Sequence, residues 1–232
     1  MYPTKTLDGS QTLFSERYGQ TFHSDKGALS ESKHIFLAAS GVRKRLRQAI
    51  YTSVLEIGFG TGLNFFLTAD LALRSGAALD YSAVEQDVLP ADLVQTLHYG
   101  EYLEHSDLLV AYLVFRDEMP SKVPPGTYPF KFEGVGLELR VGDAKEQSFQ
   151  EARFDAIYQD AFSPDANPEL WTEAFFSKLK ATLKPGGVMT TYSVKGDVRR
   201  RLKALGLEVE KRPGPPGGKR EMLRARKAGV GG

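Results

Sequence analysis

S-V-L-E-I-G-F-G-T-G-L-N, residues 53–64, decides the fold. A short apolar run (Val54, Leu55, Ile57) ends in Gly58, Gly60 and Gly62, and an apolar, helix-compatible run follows over residues 63–73. That order predicts a strand, a glycine turn and a helix. Glycines let the backbone turn sharply and let a ligand lie against bare main chain. The helix start offers unpaired N–H groups and the positive end of a dipole.

The G-x-G-x-G pattern fits dinucleotide enzymes and it fits methyltransferases that use S-adenosylmethionine (AdoMet). Glu56, two residues before the first glycine, favours the second. A carboxylate beside the turn repels a pyrophosphate and can pair with the cationic amino group of a methionine moiety. The plain alternative is a surface glutamate near a turn that holds no ligand; the agreement of strand, turn and helix stands against it. Outward from the turn, a second strand is expected over residues 79–84, followed by Glu85. An acidic residue there can accept both ribose hydroxyls of a nucleoside.

Composition narrows the class. The 232 residues can bury one good core, and a net charge of +1 with 41% hydrophobic residues is ordinary for a globular chain. No cysteine is present, which excludes disulfides, thiolate metal sites and cysteine nucleophiles. Four scattered histidines (His23, His34, His98, His105) lack metal-ligand spacing, so no metal is expected. No apolar run reaches membrane-spanning length and residues 1–10 carry no signal-peptide core; no membrane partner is expected, and the cytoplasm is the expected location.

Residues 1–50 read as an N-terminal extension: a polar hairpin or arm over 1–12, a helix over 31–39 capped by Ser30, and a basic helix over 42–51. Phe14, Tyr18 and Phe22 recur every four residues, as a helical stripe would. They are expected to pack on the sheet edge; the alternative is a lid over the ligand with His23 and Ser24 at its tip. The main domain is expected over 51–226, with a disordered tail over 227–232. Within it, helices are expected over 90–103 and 106–119, and paired strands over 128–132 and 136–141. Gly142-Asp143-Ala144 follows; Asp143 can bond an adenine amine, cap the next turn, or do both. A strand over 154–158 ends at Asp160, where open α/β sheets place their chemistry. A helix from Asn167 to about Leu183, a strand over 188–192, a helix over 196–205 and strands over 207–211 and 221–225 complete the chain. The proline-rich loop 212–220 is expected to lack regular structure.

The turn with Glu56, the acid at Glu85, G-D-A at Asp143, Asp160 and L-K-P-G-G resemble a class I AdoMet-dependent methyltransferase. That resemblance implies an α/β, Rossmann-like, seven-stranded, mostly parallel sheet whose last strand is antiparallel. F-S-E-R-Y, E-S-K-H-I-F-L, D-A-F-S-P-D-A-N-P-E-L-W-T, V-R-R-R-L-K-A-L-G and G-K-R-E-M-L are similar to the methyltransferase half of the MnmC family, from about Phe14 to Leu223. The family usually has D-G-F-A-P where this chain has Asp160-Ala161-Phe162-Ser163-Pro164.

The resemblance implies AdoMet as cofactor, bound by Glu56, Gly58, Gly60, Gly62, Asn64, Glu85, Asp143, Ala144 and Asp160. It implies methyl transfer to the primary amine of 5-aminomethyl-(2-thio)uridine at the tRNA wobble position, in a stand-alone transferase supplied by a separate enzyme that makes the aminomethyl group. Asp160 is the residue expected to orient the amine, and Phe162 to stack on a flipped-out base. Contacts to the tRNA anticodon arm are expected from Arg199, Arg200, Arg201, Lys219 and Arg220, with the helix of Arg43 to Arg47 as a further candidate. The competing readings are a small-molecule amine methyl- or aminopropyl-transferase on the same fold, and an idle AdoMet-fold module that only binds RNA. An NAD-binding oxidoreductase is disfavoured by Glu56 and by the antiparallel final strands.

Overall fold

The computed structural model describes residues 1–229. It opens with an antiparallel meander, β1 (Tyr2–Lys5), β2 (Gln11–Ser15) and β3 (Gln20–Thr21). The Phe14, Tyr18 and Phe22 spacing is therefore not a helical stripe. Gly19, at φ +61°, reverses the chain between β2 and β3, and the aromatics fall on a hairpin. Helix α1 (Ala28–Glu31) starts before Ser30, whose N–H is held by Asp8 Oδ2 at 2.9 Å. The chain continues helically, more widely wound, through Ser32–Ala38. The basic helix α2 (Val42–Arg47) is shorter than expected.

The glycine-turn strand is β4 (Thr52–Ile57), all six residues buried, followed by α3 (Leu63–Arg74) as the pattern predicts. Next come β5 (Leu79–Glu85), α4 (Ala91–Gln95) and α5 (Ser106–Asp117). The helix expected over 90–103 breaks at His98, which lies at φ +52° and starts a separate tight turn, Tyr99–Tyr102. The hairpin β6 (Gly126–Phe132) and β7 (Val135–Val141) precedes β8 (Phe154–Gln159). The helix expected from Asn167 divides into a tight turn, Pro168–Trp171, and α6 (Glu173–Thr182), because Thr172 caps α6 by accepting the Phe175 N–H at 3.2 Å. Last are β9 (Leu183–Thr191), α7 (Gly196–Ala204), β10 (Glu208–Pro213) and β11 (Glu221–Arg226).

The main sheet runs β10-β11-β9-β8-β4-β5-β7-β6. Pairs from β9 to β7 are parallel; β11 is antiparallel to both β9 and β10, and β6 is antiparallel to β7. Among the described residues the sheet has eight strands, one more than the seven expected. Both strands of the 128–141 hairpin join it, with Phe130 of β6 buried. The antiparallel closing strands are as expected.

Two hydrophobic layers cover the sheet. One packs α2, α3 and α5 against Val54, Tyr81 and Leu137; the other packs α6 and α7 against Leu55, Ile157 and Met189. The chain moves from β4 toward β7 and then returns to the other side of β4 as β8, so strand order reverses between β4 and β8. Lys227 is held by the carbonyls of Lys180 and Leu183 at 3.1 and 2.7 Å. Residues 230–232 of the expected tail lie outside the described residues.

Candidate active site

The carboxyl ends of the parallel strands surround a cavity of about 460 Å³, within the range of small-molecule sites. Gly58 lies so close beneath the segment after β8 that a Cβ would fall 2.8 Å from the Asp160 carbonyl oxygen. At φ +88° it also occupies the left-handed region that favours glycine. Gly60 lines the cavity too, whereas Gly62 does not; it precedes α3 at φ +80° and packs on Phe66 and Phe59.

Glu85 braces the turn from the end of β5. Its Oε2 accepts the Gly60 N–H at 2.8 Å, and its Oε1 accepts those of Gln86 and Asp87 at 2.8 and 2.9 Å. Burial raises its pKa while these backbone donors lower it, with a net rise. Asp143 and Ala144 line the cavity after β7. Asp143 Oδ1 accepts the Lys145 N–H at 2.9 Å, so it caps its own turn.

Glu56 is fully buried and does not line the cavity. Its Oε1 accepts from Asn64 Nδ2 at 2.7 Å and its Oε2 from the Tyr81 hydroxyl at 2.9 Å. Burial outweighs those donors and lifts its pKa to about 8. Glu56, expected from sequence to pair with a ligand's amino group, thus stands behind the wall, and Asn64 is the residue that lines the cavity in front of it. Its Nδ2 also donates to Asp160 Oδ2 at 2.8 Å, so one amide bridges two carboxyl groups. Asp160 faces the cavity, with its N–H donated to the Ile57 carbonyl at 3.0 Å. Burial, then the neighbouring Glu31 and Glu56 carboxyls, hold its pKa well above the ordinary carboxylate range.

The other wall is aromatic. Phe162 stacks on Tyr18 at 4.1 Å between centroids and meets Phe22 edge-on at 5.1 Å. The meander is fastened there by Gln20 Nε2 donating to Ser163 Oγ at 2.8 Å and by an Arg17–Asp87 ion pair. Tyr18 and Phe22 thus pack on the segment after β8, not on the sheet edge. His23 lines the cavity but is spent on Thr12, Nδ1 to Oγ1 at 2.9 Å; burial lowers its pKa to about 4, so it is neutral near pH 7. Ser24 donates its N–H to Glu31 Oε2 at 2.8 Å.

Three side chains of the wall were missed, or read differently, from sequence. Tyr192, just after β9, donates its hydroxyl to the Ala161 carbonyl at 2.7 Å. Lys219 Nζ lies 3.9 Å from the Tyr192 ring centroid and 4.0 Å from Glu31 Oε1, which makes it a wall of the cavity as well as a surface cation. Glu31 is only 4% exposed yet lines the same space. The place of Tyr192 at a parallel strand end is a readable signal; Glu31 carries none.

The remaining basic candidates do not gather on one face. Arg199, Arg200 and Arg201 lie on α7, across the sheet from α2. Arg201 bonds the Trp171 carbonyl at 2.8 Å and Arg200 pairs with Asp197. Arg45 pairs with Asp155 at 3.2 Å, beside the start of β4. Arg220 adjoins Lys219 without lining the cavity. Among the described residues no cluster of three or more His, Asp or Glu could hold a metal ion, and no helix is long and apolar enough to cross a membrane.

Residues 114–228 match a family described as S-adenosyl-L-methionine-dependent methyltransferase. With the switch-point cavity and glycine turn, this defines a class I AdoMet-dependent methyltransferase. The chain is 36% identical over 230 residues to the tRNA 5-methylaminomethyl-2-thiouridine biosynthesis bifunctional protein MnmC of Azoarcus sp. (strain BH72), covering 95% of this chain and 35% of that one. The MnmC of Pseudomonas aeruginosa is 36% identical over 221 residues, covering 90% and 32%. The crystal structure of MnmC2 from Aquifex aeolicus superposes with a TM-score of 0.77 at 28% identity, over 99% of this chain and 72% of that one. The chain is thus similar over nearly its whole length to a part of the MnmC proteins, and it spans about a third of the length of the curated relatives it matches.

The residues fit AdoMet. A turn that tolerates no Cβ at Gly58, the Glu85 carboxylate at the rim, and the unpartnered, buried Asn64 Oδ1 supply bare main chain and polar acceptors around one cavity.

Proposed function

We propose that this protein methylates the primary amine of 5-aminomethyl-(2-thio)uridine at the tRNA wobble position, giving the 5-methylaminomethyl group. The observation that carries the reading is Asp160: a carboxyl group on the cavity wall, bridged by Asn64 to buried Glu56, in a cavity that Phe162 also lines. The names of the MnmC relatives supply the acceptor.

AdoMet, when bound, supplies a methyl carbon made electrophilic by its sulfonium. Glu85 would face the ribose hydroxyls, Gly58 and Gly60 would give close main-chain approach, Asp143 and Ala144 would border the adenine, and Asn64 would receive the methionine end with Glu56 behind it. The acceptor must arrive with a lone pair, since an alkylammonium with a pKa of about 10 has none at neutral pH. Asp160 takes an N–H hydrogen bond from the amine and aims the lone pair. Transfer would form the N–C bond while the C–S electron pair stayed with sulfur, and the product nitrogen would release one proton to water. Phe162 stacks on the uracil, which requires Tyr18 to yield the ring face it now covers.

Within the N-terminal extension of residues 1–50 the β1–β3 meander serves as the lid of this site, while the basic helix α2 packs with α3 in the core; residues 51–226 serve as the transferase proper. Phosphates of the anticodon arm meet Lys219, Arg220 and the α7 arginines; α2 lies on the opposite layer and is the weaker candidate. A separate enzyme or domain makes the aminomethyl group. Incubation with labelled AdoMet and tRNA lacking the methyl, followed by nucleoside mass spectrometry, tests the reading. Label in methylaminomethyluridine supports it; label confined to small amines would favour the small-molecule alternative.

A further inference from the structure

Glu31 is a buried carboxyl group that the reaction above does not use. It closes α1 and is 4% exposed. One oxygen, Oε2, accepts the Ser24 N–H at 2.8 Å; the other, Oε1, is buried and accepts no hydrogen bond among the described residues. Its nearest cation, Lys219 Nζ, stands 4.0 Å away, beyond hydrogen-bond reach, and leans instead on the Tyr192 ring. A buried acceptor left without a donor is unfavourable, the more so when charged. Glu31, Asp160, Tyr192 and Lys219 all line one cavity, and Lys219 and Tyr192 connect Glu31 to Ala161, the residue after Asp160.

We propose that Glu31 Oε1 is the second acceptor for the substrate nitrogen, and that Glu31 and Asp160 together limit the reaction to one methyl. This rests on the amine-methylation reading above. A neutral primary amine has two hydrogens, one carbon substituent and one lone pair. With one hydrogen given to Asp160 and the other to Glu31, the lone pair has a single remaining direction, toward the methyl donor. The methylated, neutral product has one hydrogen only. Turning its lone pair to the donor again would press a methyl group against one carboxyl and leave that buried acceptor unpaired. The pair of acceptors therefore orients the first transfer and opposes the second. Lys219, held weakly at 4.0 Å, is displaced when the amine arrives.

The test compares wild type with Glu31→Gln and Glu31→Ala on tRNA carrying aminomethyluridine, with mono- and dimethylated nucleosides resolved by mass spectrometry. Glutamine is isosteric and can still accept the Ser24 N–H, which keeps the test valid if the alanine variant folds poorly. Loss of one charge-assisted hydrogen bond should raise KM for the tRNA about tenfold or more while calorimetric AdoMet affinity stays within a few-fold. Glu31→Ala should also release dimethylaminomethyluridine, which wild type does not form. If wild type methylates the amine but both variants keep its KM and stop at one methyl, the assignment of Glu31 is overturned and the proposed function stands. If wild type itself leaves the aminomethyl group unmethylated, the proposed function falls and this inference with it.

Discussion

Glu56→Gln should flatten the pH dependence of folding stability. In the folded protein the Glu56 carboxyl holds its proton up to about pH 8, against an ordinary value of 4.5. Between those values the native state binds a proton that the unfolded chain has released. Stability therefore falls as pH rises through this window, by about 1.4 kcal/mol per pH unit, and levels off above it. From about pH 5 to about pH 8 the loss amounts to roughly 4 kcal/mol, an order-of-magnitude figure. Glutamine cannot titrate. It retains one acceptor oxygen for two donors, Asn64 Nδ2 and the Tyr81 hydroxyl, and so forfeits about 1 kcal/mol at all pH values. The variant should be slightly less stable than wild type near about pH 4, equal to it near about pH 5, and more stable above. Urea denaturation of the cofactor-free proteins across that range, extrapolated to water, measures the difference directly. Parallel stability curves would refute the reasoning, because they would mean that Glu56 ionises in the fold as it does in the unfolded chain.

Asp160→Ala should lower kcat by about a hundredfold or more in the tRNA methylation assay, while AdoMet affinity measured by calorimetry changes little. Glu85→Ala should weaken AdoMet binding by at least about tenfold and leave the Gly60, Gln86 and Asp87 N–H groups unpaired; unchanged calorimetric affinity would remove Glu85 from the cofactor site. Gly58→Ala combines left-handed strain of about 1–2 kcal/mol with a Cβ 2.8 Å from the Asp160 carbonyl, so both the melting temperature and AdoMet affinity should drop. Binding of tRNA, followed by gel shift at rising salt, should weaken with a slope set by the number of phosphates met, and a salt-independent affinity would remove the arginines of α7 and the Lys219 loop from the interface.

The layout of the sheet follows from local patterns. β4, α3, β5, β8 and the closing β10 and β11 lie where periodicity and glycine placement put them. The interruptions at His98 and Thr172 were not legible, because each depends on a single backbone conformation or cap inside an otherwise helix-compatible run. The extra edge strand was visible as alternation in residues 128–132, but only pairing with β7 makes it part of the main sheet.

Glycines and acids near strand ends were sufficient to locate the cavity, since the carboxyl edge of a parallel sheet is defined by chain direction alone. Gly58, Glu85, Asp143 and Asp160 could be named on that basis. Tertiary packing decided which of the acids touch the cavity and which stand behind it. Glu56 lies on β4 beneath Asn64 of α3, and only the packing of helix on strand turns its carboxyl away from the opening. Glu31 reaches the site from a segment 129 residues before Asp160, carried there by the meander and the wide helix. Contacts across such separations leave no local pattern, because the burial that tunes each carboxyl comes from residues distant in the chain.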